Sequence, residues 1–573
     1  MSLRILDKGH EFHIYIDFGN FFKRNLEAVK ELPGRRWING ENKYWWVPGS
    51  ARVQVESLQE SHKAVIIQPA DARPEMIGEI PPMEELEIDL LWKDGVIPRP
   101  YQLTGIAQAM KFEKCLNGDE QGLGKTMQSI GTMLGLEATG RNPFPCLVVC
   151  PSSMKGTWKR EWEKFSHKRA MILDSSMSAQ QRKNWFSYVS HGIIDVVIVN
   201  YESLNTFCVE SYPNEKLKNG RRKPWRAMDV VLKQFMAKFR AGILDESHRC
   251  KDPNTNQSKF ILRIFNGLQY RVLLSGTPVV NKPIDLFPQL AILGKLSDFG
   301  NKDGFLNRYC DGGTGTNNLK ELNYKLNLHC FFRREKKDVA QDLPDKQRQT
   351  ILCDITTRTE YNKCKADFEQ FLRDIGCDDK EIARKMRGEI MVQMMKLKQI
   401  AGRGKMNEVK EFVNEVLESG NKLILFCHLH EIVDECLNLW PDAVTVTGRD
   451  NSKQRQANID AFQSDPDCKL IICNHKAAGV GITLTASSRV AFIEYPWTYA
   501  DCVQCEDRAH RIGQKNNVMC TYFLGQDTID ERMWEIISTK MTIGNTITGA
   551  TDDMDSMEMI DKTLQLFNIY GQN

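Results

Sequence analysis

Three short segments hold residues whose types and spacing suit the splitting of a phosphoanhydride. The first is Asp119-Glu-Gln-Gly-Leu-Gly-Lys-Thr126. A glycine-rich turn lets backbone N–H groups approach phosphate oxygens, and the start of the following helix favours their negative charge. In that frame Gly122 and Gly124 shape the turn, Lys125 reaches the β and γ phosphates, and Thr126 offers a hydroxyl to magnesium. The strict pattern has glycine where Asp119 stands, so taken alone the segment also fits a chance glycine-rich turn. The second segment is the acid pair Asp245-Glu246, directly after the apolar run 242–244. Asp245 suits a magnesium ion and Glu246 an attacking water. An acidic helix cap continued by Ser247 is the plainer alternative, and the loop upstream favours the chemical reading. The third segment, Gln504-Cys-Glu-Asp-Arg508-Ala-His-Arg511-Ile-Gly-Gln514, puts two arginines three apart, which predicts one face of a helix. Gln504, Arg508 and Arg511 are the candidates there. An arginine supplied from a second lobe stabilises charge on a transferred phosphoryl group, whereas a solvated basic helix is the bland alternative.

The elements around these segments alternate in a regular way. Short apolar runs at 146–150, 196–200, 242–244 and 271–274 are separated by amphipathic stretches, the pattern of a parallel sheet with crossover helices. A second series occupies 422–427, 443–447, 469–473, 490–494 and 518–523. The fold class expected is therefore α/β with two lobes, and the acids fall at a strand's carboxyl end, the usual ligand edge of such a sheet. Residues 298–407 between the lobes read as mostly helical and charged. The opening residues, with a strand near 13–18, a helix over 21–32 and a turn at Pro33-Gly34, read as a small α+β module. Residues 69–98, rich in Pro and Glu and containing Pro81-Pro82, read as a linker or a wrapping arm. The resulting division is 1–69 for the amino-terminal module, 70–94 for the linker, 95–297 for the first lobe, 298–407 for helical insertions, 408–545 for the second lobe and 546–573 for a tail.

Bulk properties narrow the class without naming a partner. The chain has 573 residues, 41% hydrophobic and 26% charged, which is ordinary globular composition and enough for about three domains. It contains no run of about 18 apolar residues that could span a bilayer, and its first residues lack a secretory pattern. Seventeen cysteines without framework spacing read as reduced thiols. The expected setting is the cytoplasm of a bacterium or a phage host, or the nucleus if the source is eukaryotic. A net charge of only +3 means that any nucleic-acid surface must be local.

In order along the chain, the motifs resemble those of the Snf2 family of superfamily 2 helicase-like ATPases, over roughly residues 95–545. Arg99-Pro-Tyr-Gln102 is similar to the adenine-side motif, with Gln102 as the base contact, and that family also carries Asp in place of the loop's first glycine. Cys150-Pro-Ser-Ser153 with Trp158 and Trp162 resembles motif Ia, and Asn200-Tyr-Glu-Ser203 resembles motif Ib. The resemblance implies that Ser152, Ser153, Asn200 and Tyr201 touch the DNA backbone. Asp245-Glu-Ser-His248 resembles the Walker B box, and Ser275-Gly-Thr-Pro278 resembles motif III, which couples nucleotide state to DNA contact. Arg333-Arg334 before Leu343-Pro344 is similar to the paired-arginine signature at the entry to the second lobe. Gly479-Val-Gly-Ile-Thr-Leu-Thr485 resembles motif V, placing Gly481 at the nucleotide and Thr485 at DNA, and 504–514 resembles motif VI. Two RecA-like lobes with parallel sheets, ATP and Mg2+ as cofactors, and movement along one strand of a duplex are implied.

Leu32-Pro-Gly-Arg-Arg36-Trp37 and Lys43-Tyr44-Trp45-Trp46-Val-Pro48 resemble the HARP-like module that precedes the motor in fork-remodelling, strand-annealing members. Arg35, Arg36 and Lys43 would contact phosphate while Trp37, Tyr44 or Trp46 stacks on an unpaired base; alternatively these rings form the module's own core. The basic stretch 216–226, with Lys218, Arg221, Arg222, Lys223 and Trp225, reads equally as a duplex grip or a solvated protrusion. Cys502 and Cys505 have zinc-like spacing but no second pair, so they and His428 and His430 read as structural. The function expected is a DNA-dependent ATPase and double-stranded DNA translocase that remodels or reanneals branched DNA, acting as a monomer away from membranes, with replication or recombination proteins as further partners. The competing readings are a strand-separating helicase, a translocase that displaces bound protein, and a nonhydrolytic nucleotide-gated clamp. The clamp would lack Lys125, Glu246 or Arg511, and all three are present.

Overall fold

The computed structural model describes residues 3–7, 11–16, 21–38, 44–62, 64–67, 75–174, 177–214, 224–276, 283–310, 317–374, 387–475 and 481–547. The chain forms two compact units, one from Met1–Pro82, Cys250–Ser258 and Lys282–Phe331, the other from Met83–Arg249, Lys259–Asn281 and Phe332–Asn573.

In the first unit the amino-terminal strands form a five-stranded sheet in the order Arg36–Ile38, Tyr44–Pro48, Glu11–Ile16, Leu3–Asp7, Val65–Ile67. Side chains alternate across a strand, so one face gathers Leu3, Ile5, Phe12, Ile14 and Val47 against Val29, Val55 and Leu58 of helices Phe22–Lys30 and Arg52–His62. The opposite face carries Arg36, Trp46 and His13 in cross-strand register, with Tyr44 stacked on His13 at 4.1 Å and Arg36 lying 5.6 Å over Trp46. The same unit holds helices Leu286–Leu293, Asn301–Tyr309 and Leu319–His329, the last two tied by a buried Arg308–Glu321 ion pair.

The second unit contains two parallel sheets. The seven-stranded one runs Phe331–Phe332, Lys114–Asn117, Tyr270–Leu274, Ala241–Leu244, Cys146–Cys150, Val196–Asn200, Ala170–Ile172. Its central strands are buried along their whole length, which is why they read as continuous apolar runs. The six-stranded sheet runs Lys346–Cys353, Val518–Gly525, Arg489–Phe492, Leu423–Cys427, Leu470–Asn474, Val444–Val446 and is parallel throughout. The mixed α/β class and the two parallel sheets expected from sequence are the ones observed. Two strands lie inside the stretch read as helical insertions: Phe331–Phe332, at the edge of the first sheet, and Lys346–Cys353, at the edge of the second. The latter opens on five polar residues, Lys346-Gln-Arg-Gln-Thr350, so its apolar run is only three residues long.

Residues 83–96 wrap the first lobe. Met83, Leu86, Ile88, Leu90, Trp92 and Val96 pack on its core at mostly alternate positions, as an extended arm does. Helix Lys125–Ala138 admits the arm through its own glycines, since a Cβ on Gly131 would stand 2.8 Å from the Trp92 ring. Among the described residues no helix is long and apolar enough to cross a membrane.

Candidate nucleotide site

The phosphate loop connects strand Lys114–Asn117 to helix Lys125–Ala138 at the carboxyl edge of the first sheet. Gly122 (φ +88°) and Gly124 (φ +78°) take left-handed conformations that disfavour a side chain, and a Cβ at 124 would lie 2.3 Å from Gln102 Nε2. Thr126 follows Lys125 in the helix's first turn and is half-buried. Lys125 Nζ donates to the carbonyls of Asp119 (2.6 Å) and Glu120 (3.3 Å). Burial lowers the affinity of Lys125 for its proton, against the attraction of Glu246, Asp119 and Asp245.

Asp119 resolves the irregular first position of the loop. Its carboxylate is fully buried and accepts from the Arg334 backbone N–H and Nε, both at 3.0 Å, and from Gln128 Nε2 at 2.9 Å. Arg334 also donates to the Tyr101 carbonyl and to Thr104 Oγ1, so the loop, the adenine-side helix Pro100–Phe112 and the lobe entry are held by one guanidinium. Gln102 is buried here, its Oε1 accepting from Arg99 N–H (2.9 Å) and its Nε2 donating to the Leu123 carbonyl (3.3 Å). Its amide thus braces the loop from behind.

Strand Ala241–Leu244 delivers Asp245 and Glu246 to the same edge. Trp158 Nε1 donates to Asp245 Oδ2 at 2.9 Å, and the Tyr201 hydroxyl donates to the Asp245 carbonyl at 2.6 Å. Glu246 adopts φ +53°, an uncommon conformation for a residue with a side chain. His248 Nδ1 lies 3.4 Å from Glu246 Oε2 and 3.0 Å from Ser275 Oγ, joining the acid segment to Ser275-Gly276; Thr277 and Pro278 lie outside the described residues.

The second lobe meets the loop through 504–514. Arg508 Nη2 donates to Gln121 Oε1 at 3.4 Å and its Nε to the Gln504 carbonyl at 2.9 Å, while Arg511 Nη1 donates to the Ile482 carbonyl at 3.3 Å. A Cβ on Gly122 would meet Lys336 Cε at 3.1 Å and Arg511 Cγ at 3.5 Å, so both cations lie against the loop. Gly481 (φ +75°) faces Met154 of the first lobe so closely that a Cβ would fall 1.3 Å from the thioether sulfur.

Two expectations need correction. Helix Tyr499–Glu506 ends before the arginines, so Arg508 and Arg511 sit in successive turns and share no helix face. The turns are held by buried ion pairs: Lys336 with Asp507 (2.8 Å), Lys346 with Glu506 and Asp507 (2.9 Å each), and Arg348 with Glu506 (2.6 Å). Burial opposes ionisation of Asp507, yet Lys336 and Lys346 hold its carboxyl far below the ordinary range. Tyr201 is the second correction. At 1% exposure, with its hydroxyl on the Asp245 carbonyl, it is not a surface contact for DNA. Asn200 is buried too, donating to Glu202 at 2.8 Å, whereas Ser152 and Ser153 are exposed and Thr485 is half-buried beside Gln463.

Other candidates divide similarly. Trp37 is 48% exposed and lies 5.3 Å from Trp45, which packs on the module's core; Trp46 lies on the opposite face, its Nε1 donating to Glu11. Arg35 donates to the Leu32 carbonyl. Lys43, Lys218, Arg221, Arg222, Lys223, Gly479 and Val480 lie outside the described residues. Trp225 is buried between Tyr212 and Phe260 with Lys259 4.4 Å over its ring, so it is packing rather than a duplex contact. Cys502 and Cys505 are buried in the second lobe's core, and His428 stacks on His475 at 4.5 Å while His430 opens an exposed helix end. Reasoning from sequence missed Lys336, whose signal is submerged in the charged run Arg333-Arg-Glu-Lys-Lys337.

A model of the SNF2-related domain matches residues 59–452, and one of the helicase conserved C-terminal domain matches residues 404–513. The chain belongs to the Snf2 family. Among its Snf2 relatives is the SWI/SNF-related matrix-associated actin-dependent regulator of chromatin subfamily A-like protein 1 homolog of Caenorhabditis elegans, 28% identical over 98% of this chain and 78% of that protein. The human DNA annealing helicase and endonuclease ZRANB3 is 29% identical over 80% of this chain. The chain spans only 41% of that protein and 46% of the Xenopus tropicalis A-like protein 1. The solved Sulfolobus solfataricus SWI2/SNF2 ATPase core in complex with dsDNA is 23% identical, covering 85% of this chain and 99% of that one, with a TM-score of 0.38. As a Snf2 helicase-like ATPase the chain is of a nucleotide-binding family.

The donor set fits a divalent cation. Burial, with Glu246 beside it, pushes the Asp245 carboxyl up to about 6 although Lys125 opposes the rise, so the neighbouring cations do not fully offset the acid pair and a divalent cation would. A raised carboxyl favours its protonated form, so without a cation the folded state loses stability as pH rises through about 6, while cation binding, which takes the ionised form, gains over the same range. The increase in Tm on adding magnesium with nucleotide is therefore expected to be large near pH 8 and to shrink below pH about 6. An increment that stays constant across that range would remove Asp245 as a ligand.

Proposed function

We propose that this chain is a DNA-dependent ATPase that moves along duplex DNA and remodels or reanneals branched DNA. The observation that carries the reading is the reach of Arg508 to Gln121 across the lobes, opposite Lys125, Asp245 and Glu246. In this reading the loop amides and Lys125 bind the β and γ phosphates of ATP, and Gln102 holds the loop against the base. Thr126 and Asp245 would hold Mg2+, which neutralises phosphate charge when bound. Glu246 orients the attacking water and takes up its proton. Arg508 and Arg511 meet the charge developing on the γ phosphoryl group only while the lobes are closed, so hydrolysis and lobe movement are one cycle. Ser152 and Ser153 from one lobe and Thr485 from the other would hold the duplex backbone. That one relative is named a DNA annealing helicase supports the annealing half of the reading. The test is ATP turnover with duplex, single-stranded and forked DNA, followed by annealing and strand-displacement assays. Stimulation by duplex and fork with net annealing is expected; stimulation by single strands alone, with unwinding of blunt duplex, would sink the proposal.

The face of the amino-terminal sheet bearing Arg36, Trp46, His13 and Tyr44 supports a role in reading unpaired bases, because stacked rings flanked by arginine suit a base and its phosphate. Trp46→Ala and Arg36→Ala are each expected to weaken binding to forked DNA about tenfold while blunt-duplex binding holds. An equal loss on both substrates, measured by anisotropy, would make the face structural.

A further inference from the structure

Two buried aromatics connect the segments that would meet the duplex to the acid pair. Exposed Ser152 and Ser153 form the turn Ser152–Met154, which runs straight into helix Lys155–Phe165, and Trp158 stands in the first turn of that helix. Its ring is fully buried and its Nε1 donates to Asp245 Oδ2 at 2.9 Å. Tyr201 follows Asn200 at the end of the next strand, and its hydroxyl reaches both the Asp245 carbonyl (2.6 Å) and the Glu246 carbonyl (3.3 Å). Strand Cys146–Cys150, which launches the first segment, pairs with Val196–Asn200 on one side and Ala241–Leu244 on the other, so all three segments leave one sheet edge side by side. Glu246 sits at φ +53°, a conformation that persists only where its surroundings hold it, and the Tyr201 hydroxyl is such a hold. These bonds fix one carboxylate oxygen of Asp245 and the backbone of both acids, from segments that reach the surface at Ser152 and Ser153 in one case and at Glu202 in the other.

Resting on the reading above, we propose that Trp158 and Tyr201 are positioning residues through which duplex binding sets the geometry of Asp245 and Glu246 for hydrolysis. A shift of the Ser152–Met154 turn passes to Asp245 through the Trp158 ring, and a shift of the turn Tyr201–Ser203, entered from outside at the exposed Glu202, passes to the acid backbone through the Tyr201 hydroxyl. Neither side chain needs to touch nucleotide or DNA.

The test uses Trp158→Phe and Tyr201→Phe in the full chain, each keeping an aromatic ring and losing the donor; thermal melting checks the fold. Duplex-stimulated kcat is expected to fall about tenfold in each, the size of one hydrogen bond to a charged or strained group, with a smaller loss of turnover without DNA and an unchanged duplex affinity. Trp158→Phe is also expected to raise the Mg2+ concentration for half-maximal turnover several-fold, while Tyr201→Phe leaves it in place. Equal losses with and without DNA would make the pair a static brace and overturn the inference, as would unchanged turnover or duplex affinity that falls in step with it. Lack of any duplex stimulation in the unaltered protein would instead fail the functional reading. The Mg2+ response of Trp158→Phe then still decides, and an unchanged half-saturation overturns the positioning role.

Discussion

Glu246→Gln is expected to bind ATP and DNA as the unaltered chain does and to turn over about 100- to 10,000-fold more slowly, the range that one general base contributes. The substitution keeps the size of the side chain and leaves the Tyr201 hydroxyl on the Asp245 and Glu246 carbonyls, so the left-handed backbone at 246 stays held. What disappears is the carboxylate, which burial raises while Lys125 and Arg508 oppose the rise, leaving a base closer to neutrality than an exposed glutamate. Single-turnover hydrolysis alongside nucleotide-binding titration separates the two properties. Near-normal turnover would remove Glu246 from the chemistry.

Asp119→Gly is expected to harm the protein although it restores the strict phosphate-loop pattern. The glycine would leave the Arg334 guanidinium buried without the carboxylate that pairs it, and breaking a buried pair from one side costs about 3–5 kcal/mol. Gln128 loses one of its two acceptors at the same time, keeping the Leu123 carbonyl. Denaturant melting should show the loss, and ATP affinity should fall with it because the loop is no longer tied to Tyr101 and Thr104 through Arg334. Adding Arg334→Met to Asp119→Gly should recover much of the stability, since the unpaired charge goes. A single variant as stable as the parent would show that Arg334 finds another anion.

Legibility in the sequence followed burial and chain distance. Central strands such as Cys146–Cys150 and Leu423–Cys427 announce themselves because both their faces are buried and the apolar run is unbroken. Lys114–Asn117 lacks β-branched residues and escaped notice, although it launches the phosphate loop. The loop, the acid pair and the two arginines were readable as types at spacings. Their local geometry was less so: the spacing of Arg508 and Arg511 suggests a helix, but Lys336, Lys346 and Arg348, more than 150 residues earlier, grip Glu506 and Asp507 where the helix gives way to turns. The partnership of Asp119 with Arg334 spans 215 residues and leaves no local trace. Motif resemblance placed Tyr201 in the right segment and could not say that its ring points inward, to the acids.

The contact between Met154 and Gly481 leaves no clearance for a side chain between the first lobe and the second. If the lobes turn against each other as the proposed cycle requires, such a point needs a bearing, and the thioether is suited to be one: unbranched, polarizable and able to change rotamer as the opposing backbone slides past. Stiffness here would be felt as friction. An isoleucine at 154 would fill similar volume yet resist rotation about its first side-chain bond, and the motor would run slowly with every group of its chemistry in place.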